Sequence, residues 1–260
     1  MELGILKPDN TWDAYGLSVK EYFITNHNVN NISMPSLMAG APVGVTIHNT
    51  DDINEASNTT DPEQYTRATL NVNQYGASRM GSVRVHFYVD DDEAWQNLPF
   101  TYQSWHCGQK GRAETSKASV GNAQTISIEC IMKSVRDSKA EDNCAKLAAY
   151  ILNKYNLTID KLFTHNYWCN IRNGRTGTVD ELNTTYDNYK GCPIYIRPHW
   201  YEFKTVVYNY MRQFKTTASA RYLVVKQFGA YSDQENAKEL LQKLKQSDSD
   251  GYYKIMKVVT

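Results

Sequence analysis

The order of apolar and polar positions along the chain predicts a small set of elements. Residues 125–132, Thr-Ile-Ser-Ile-Glu-Cys-Ile-Met, alternate with a period of two and read as a central strand with Glu129 on its polar face. Residues 43–48, Val-Gly-Val-Thr-Ile-His, read as a buried strand that ends at a polar residue. Residues 82–89 read as a further strand, residues 90–93 as an acidic turn, and residues 94–98 as the start of a third strand. The best helix is residues 139–155, where Ala140, Cys144, Leu147, Ala148, Ile151 and Leu152 form one apolar stripe. A shorter helix over residues 62–75 has Asp61 as its N-cap and Pro62 in its first turn. Residues 166–190 are polar and turn-rich and read as a long loop, a kind of segment that is often functional. Residues 198–214 read as a closing helix.

Strands and helices mixed around one sheet give an α/β class, with a central mixed β-sheet flanked by helices. This main domain covers residues 1–214. A polar junction at 215–220 then leads to a tail, residues 221–260, that reads as strand 221–228, helix 233–246 and strand 252–259. A β-α-β unit of about forty residues is near the lower limit for folding alone.

Composition narrows the classes of function. With 28 basic and 28 acidic residues the net charge is zero, so no basic surface for nucleic acid is indicated. No apolar run approaches the ~18 residues that a membrane helix needs, so membrane insertion is not expected. Residues 1–8 lack a basic start followed by an apolar run, which is unlike a secretory signal and leads us to expect synthesis in the cytoplasm. The five cysteines are odd in number and form no CxxC pair, so they read as reduced thiols with at most one metal ligand among them. Nineteen tyrosines and five tryptophans suit sugar rings and ordinary cores alike.

Three neighbourhoods carry candidate chemistry: His48 at a strand end, His165 after a short apolar step, and Cys192 in Lys190-Gly-Cys-Pro193. A catalytic zinc takes three protein ligands and keeps one position open, and two histidines with a cysteine are an acceptable set. No local spacing links the three, so the residues alone leave a packed-histidine reading open beside the metal one.

Seven segments occur in a telling order: Val43-Gly-Val-Thr-Ile-His-Asn-Thr50, His86-Phe-Tyr-Val-Asp-Asp91, Trp105-His-Cys-Gly108, Gly121-Asn122, Ser127-Ile-Glu129, Phe163-Thr-His165 and Lys190-Gly-Cys-Pro193. Together they resemble the zinc-dependent N-acetylmuramoyl-L-alanine amidase family that includes phage lysozyme-like amidases and peptidoglycan recognition proteins. The resemblance spans roughly residues 40–205. It implies His48, His165 and Cys192 as zinc ligands, Glu129 as the group that handles the proton of the attacking water, and Lys190 as the oxyanion stabiliser. It implies cleavage of the bond between the lactyl group of N-acetylmuramic acid and L-alanine of peptidoglycan. One departure is Val85, where some relatives carry Tyr before the strand histidine; the presence of Glu129 points to the glutamate version of the machinery. His86, Trp105 and His106 are expected at the substrate groove or as packing residues. The other four cysteines read as small buried apolar residues.

The tail, from Tyr222-Leu-Val-Val-Lys226 onward, resembles the first part of a SPOR-type peptidoglycan-binding domain and looks halved. That suggests a homodimer through two copies of the tail, or docking on the main domain. The expected role is an endolysin that reaches the wall through a holin pore. A non-catalytic recognition module and a host autolysin or recycling amidase are the alternatives.

Overall fold

The computed structural model describes residues 3–50, 61–108, 117, 119–132, 136–186 and 190–228, the last fourteen of these as helix backbone alone. The chain divides into two units, Met1–Met211 and Arg212–Thr260. The first unit holds a seven-stranded mixed sheet. Its strands are β1 (Asn10–Ala14), β2 (Leu17–Glu21), β3 (Gly44–Asn49), β4 (Phe87–Val89), β5 (Ala94–Gln96), β6 (Thr125–Cys130) and β7 (Leu162–Thr164), in the spatial order β1-β2-β5-β4-β6-β3-β7. The central strands β4, β6, β3 and β7 run parallel to one another.

The hairpin β1–β2 is a finding beyond the sequence reading. Its two loop residues, Tyr15 and Gly16, both have positive φ (60° and 85°), as a tight two-residue turn requires. The Asp13 carboxylate accepts from the Gly16 amide and closes the turn.

Alternation sorts the sheet into two chemically different faces. Val45, Ile47, Phe87, Val89, Ile126, Ile128 and Cys130 face the main core, where helix α3 (Ser138–Lys154) and the first turns of α6 (Trp200–Phe228) cover them. From α3 come the apolar-stripe residues, and from α6 come Trp200, Phe203, Val207 and Met211. The opposite face of the same strands carries Thr46, His48, His86, Tyr88, Thr125, Ser127 and Glu129. Helix α1 (Pro62–Leu70) and α4 (His165–Arg172) lie on that polar side, with Tyr65 stacked on Tyr88 and the Trp168 indole N–H donating to Thr46. As read from the sequence, α1 is capped by Asp61, whose carboxylate accepts from the Gln64 amide.

Two elements are shorter than read, α1 ending at Leu70 rather than 75 and β4 beginning at Phe87 rather than 82, and two larger readings are corrected. Residues 166–190 are not one long loop. They contain α4, capped by Thr164, and α5 (Val179–Thr184), opened by a Thr178/Glu181 capping box. The polar residues there serve the helices: Asn166 and Asn170 both donate to the Leu182 and Thr185 carbonyls. The second correction concerns residues 215–228, read as a polar junction and a strand. They continue α6 to Phe228, because no Gly or Pro interrupts the chain from Trp200 until Gly229. The remainder of the proposed β-α-β tail, residues 229–260, lies outside the described residues. No described helix is long and apolar enough to cross a membrane.

Candidate active site

Parallel strands deliver their C-terminal ends to one edge of a sheet, and open α/β sheets bind ligands along that edge. Here β3 ends at Asn49 with His48 next to last, and β7 ends at Thr164 with His165 following as the first residue of α4. Ile47 and Thr164 are register partners, so the two histidines emerge side by side. Their rings meet at 4.9 Å between centroids.

The Cys192 loop is fastened to both of these points. The residue after each histidine holds it. Asn49 accepts from the amides of Tyr195 (3.0 Å) and Ile196 (3.2 Å), and the Asn166 amide donates to the Cys192 carbonyl (2.9 Å). One nitrogen from each of His48 and His165 and the sulfur of Cys192 thus lie within 4.8 Å of one another, all buried. The three predicted ligand positions, dispersed over 145 positions of sequence, are brought together.

Ring orientations give the donor set its polarity. His165 Nε2 lies 3.1 Å from the Gly108 carbonyl, which can only accept, so the proton is on Nε2 and Nδ1 keeps its lone pair. That Nδ1 is buried with no hydrogen-bond partner among the described residues. A buried acceptor left unmatched is costly, and a cation between the ligand atoms would satisfy it. His48 Nδ1 lies 3.5 Å from Cys192 Sγ. The donor set therefore fits zinc: two imidazole lone pairs and a sulfur. Burial first, then the neighbouring histidines and Lys190, hold both imidazoles well below their usual pKa, so they stay neutral. Burial and the nearby Glu129 push the Cys192 thiol up to about 12, which a bound cation would reverse.

A second trio, His48, His106 and Cys107, is also compact enough to consider. The first trio fits better. Cys107 Sγ lies 3.0 and 3.3 Å from the two ring nitrogens of His106, so it rests over the ring face rather than along a lone pair. Cys107 is fully buried and does not line the cavity onto which Cys192 opens.

That cavity, about 280 Å³, is lined by His48, His106, Glu129, Lys190 and Cys192 and also by Tyr65, Met80, Val83 and Tyr88. Glu129 is the register partner of His48, and its Oε1 lies 3.7 Å from His48 Nδ1. Burial raises its pKa to about 7, with Lys190 pulling the other way. A carboxyl poised there exchanges protons readily at neutral pH.

The remaining candidates separate. His106 reaches the site. His86 does not line the cavity: it is fully buried, with Nδ1 at Ser127 and Nε2 at the Tyr102 carbonyl (2.9 Å), which is a packing role. Trp105 pairs with Arg84 across a short antiparallel bridge and likewise lines no part of the cavity. The apolar wall of Tyr65, Met80, Val83 and Tyr88 was not singled out by sequence reasoning. Only the strand alternation, which puts Tyr88 on the face of His86, hints at it. All five cysteines are buried thiols.

Comparison with known proteins agrees with this geometry. A family model described as N-acetylmuramoyl-L-alanine amidase matches residues 38–181, more than half of the chain. The chain is 25% identical over 188 residues to the N-acetylmuramoyl-L-alanine amidase CwlH of Bacillus subtilis (strain 168), covering 72% of this chain and 60% of that protein. It is 32% identical over 127 residues to the amidase CwlA of a Bacillus species, covering 48% of this chain and 43% of that one. The chain thus spans 60% or less of the length of these curated relatives. In fold it resembles the PlyG catalytic domain (TM-score 0.50, 24% identity, 74% of this chain and 94% of that one). It also resembles a variant of PlyL (TM-score 0.51, 23% identity, 73% and 97%). The motif order read from the sequence, the convergence of two histidines and a cysteine at one sheet edge, and the match over residues 38–181 give one answer: the chain belongs to the N-acetylmuramoyl-L-alanine amidase family.

Proposed function

We propose that this protein hydrolyses the amide bond between N-acetylmuramic acid and L-alanine in bacterial peptidoglycan, with zinc held by His48, His165 and Cys192. The observation that carries the reading is the convergence of one nitrogen from each of His48 and His165 with the Cys192 sulfur to within 4.8 Å, beside a His165 Nδ1 that is buried and unmatched among the described residues, with His48 and Cys192 opening onto the cavity. Zinc held there would supply Lewis acidity for activating water and polarising a carbonyl. Glu129 takes the proton of the attacking water at its carboxylate and returns it to the leaving amine; its pKa near 7 suits both steps. Lys190 lines the same cavity and brings a positive charge to the carbonyl oxygen as it becomes an oxyanion. Tyr65, Met80, Val83 and Tyr88 line the same cavity and offer the substrate an apolar surface to rest on.

Action on the wall as an endolysin, after release through a holin, and pairing of two copies through the tail belong to the same proposal. The relatives' names, N-acetylmuramoyl-L-alanine amidases, support action on the wall, and the apolar spacing of Ala237, Leu240, Leu241 and Leu244 supports the pairing. The decisive experiment incubates purified walls with the protein, with and without a chelator, and identifies the new chain ends. New L-alanine amino termini without new reducing sugars, abolished by chelation, are expected. New reducing ends would instead mean a glycosidase, and intact walls a recognition module.

A further inference from the structure

We propose that His106 is a positioning residue that fixes the tautomer of His48, so that the lone pair of His48 Nδ1 faces the metal site before any ion arrives. The inference deepens the amidase reading above and rests on it for the identity of the ion.

The argument follows a chain of hydrogen bonds with a fixed direction. It starts at a group that can only donate, the Trp168 indole N–H, which gives its proton to Thr46 Oγ1 at 2.9 Å. Thr125 has a single hydroxyl proton and places it on the Gly121 carbonyl at 2.6 Å. Thr46 Oγ1, 2.8 Å from Thr125 Oγ1, must therefore be the donor of that pair. The Gly121 carbonyl can only accept, and it lies 3.0 Å from His106 Nε2. His106 consequently carries its proton on Nε2, and its Nδ1 is an acceptor. That Nδ1 sits 2.7 Å from His48 Nε2. Two bare nitrogens at this distance would repel, so His48 carries its proton on Nε2 and leaves Nδ1 bare.

The rest of the site needs this outcome. His48 Nδ1 is the nitrogen nearer to Cys192 Sγ and Glu129. His165 is set in the same sense by the Gly108 carbonyl. Both histidines thus present Nδ1, one ordered by a backbone carbonyl and the other by a second histidine that a backbone carbonyl orders in turn. Ligating histidines generally owe their tautomer to such a partner, and its removal weakens metal affinity about 10- to 100-fold. Gly121 is suited to hold its carbonyl here because a Cβ on it would lie 2.7 Å from Cys107 Sγ and 2.9 Å from Trp168.

The test reads the tautomer directly. Nitrogen-15 correlation spectra of the zinc-free protein at neutral pH report which ring nitrogen of His48 carries hydrogen. Protonated Nε2 and bare Nδ1 are expected, and a proton on Nδ1 would overturn the proposal. This measurement needs neither zinc nor activity, so a protein with the expected tautomer and no amidase activity would sink the functional reading and leave the relay standing. His106→Phe removes the acceptor and should mix the His48 tautomers, with a loss of about 10- to 100-fold in zinc affinity by chelator competition. His106→Gln, whose amide sets a carbonyl oxygen beside an N–H, should recover most of both. Equal losses in Phe and Gln variants with an unchanged His48 tautomer would overturn the relay. Cys107→Ser should keep wild-type zinc affinity; its loss would mean that the ion sits on His106 and Cys107, which also overturns it. Since the wild-type spectrum alone can refute the proposal, misfolding of a variant does not shield it.

Discussion

His48 and Glu129 are register partners on the parallel strands β3 and β6, and their side chains stand on the same, polar face of the sheet, 3.7 Å apart. A proposed ligand and a proposed proton carrier are therefore placed by strand pairing rather than by a loop. Slippage of β6 by one residue would send Glu129 into the apolar core and Cys130 into the site. Pairing over six residues, Gly44 to Asn49 against Thr125 to Cys130, guards against that.

One zinc per chain is expected to copurify. His165→Ala and Cys192→Ser should each lose it, because a three-ligand site cut to two no longer encloses the ion. Elemental analysis of the purified variants checks this, and full occupancy in either would remove that residue from the ligand set.

Glu129→Ala should retain fold and zinc while turnover on purified walls falls about a hundredfold or more. Near-normal turnover by the folded variant would reduce Glu129 to a polar residue of a half-buried strand.

Asn183 is fully buried in α5; its Oδ1 accepts from the Thr164 amide at 2.7 Å, and its Nδ2 donates to the Leu162 carbonyl at 3.2 Å. Asn183→Ala leaves a buried amide and a buried carbonyl short of partners beside His165. A loss of roughly 1–3 kcal/mol in urea unfolding is expected, with weakened zinc retention. Unchanged stability would show that water replaces the side chain at no cost.

Burial lowers the pKa of His86 to about 4, below the ordinary 6.5. Its Nδ1 already accepts from the Ser127 amide, so a second ring proton would face an N–H group. Between these two pH values the unfolded chain binds a proton that the folded chain refuses. Stability is thus fully present above pH 6.5 and is lost as pH falls toward 4, by about 3 kcal/mol from this residue. Unfolding midpoints of zinc-free protein across that range should fall more steeply in the wild type than in His86→Asn. Identical slopes would assign the effect to other groups.

Light scattering on the full chain at micromolar concentration should give a dimer. A monomer would remove the proposed pairing of tails.

Much of the first unit was legible in the sequence. Period-two alternation identified the central strand β6, a short apolar run ending at a polar residue identified β3, and a period near 3.6 identified α3, because burial selects apolar residues at those positions. The capping signal at Asp61 was local and held. Motif order was enough to name the family, and it pointed to the three residues proposed as ligands. Other features depended on contacts distant in sequence. Asn166, Asn170 and Asn183 look like loop residues, and only their carbonyl partners across α4, α5 and β7 explain why they lie inside helices. The extension of α6 past residue 214 shows the reverse error, in which polar composition was read as a break although no Gly or Pro was there to make one. The chain carries His48, His165 and Cys192 as three isolated residues; only the parallel pairing of β3 with β7, and the grip of Asn49 and Asn166 on the Cys192 loop, closes them to within 4.8 Å. Sequence spacing sets the face on which a side chain stands, whereas the distance between strand ends is set by which strands become neighbours, and that is decided by packing of the whole sheet.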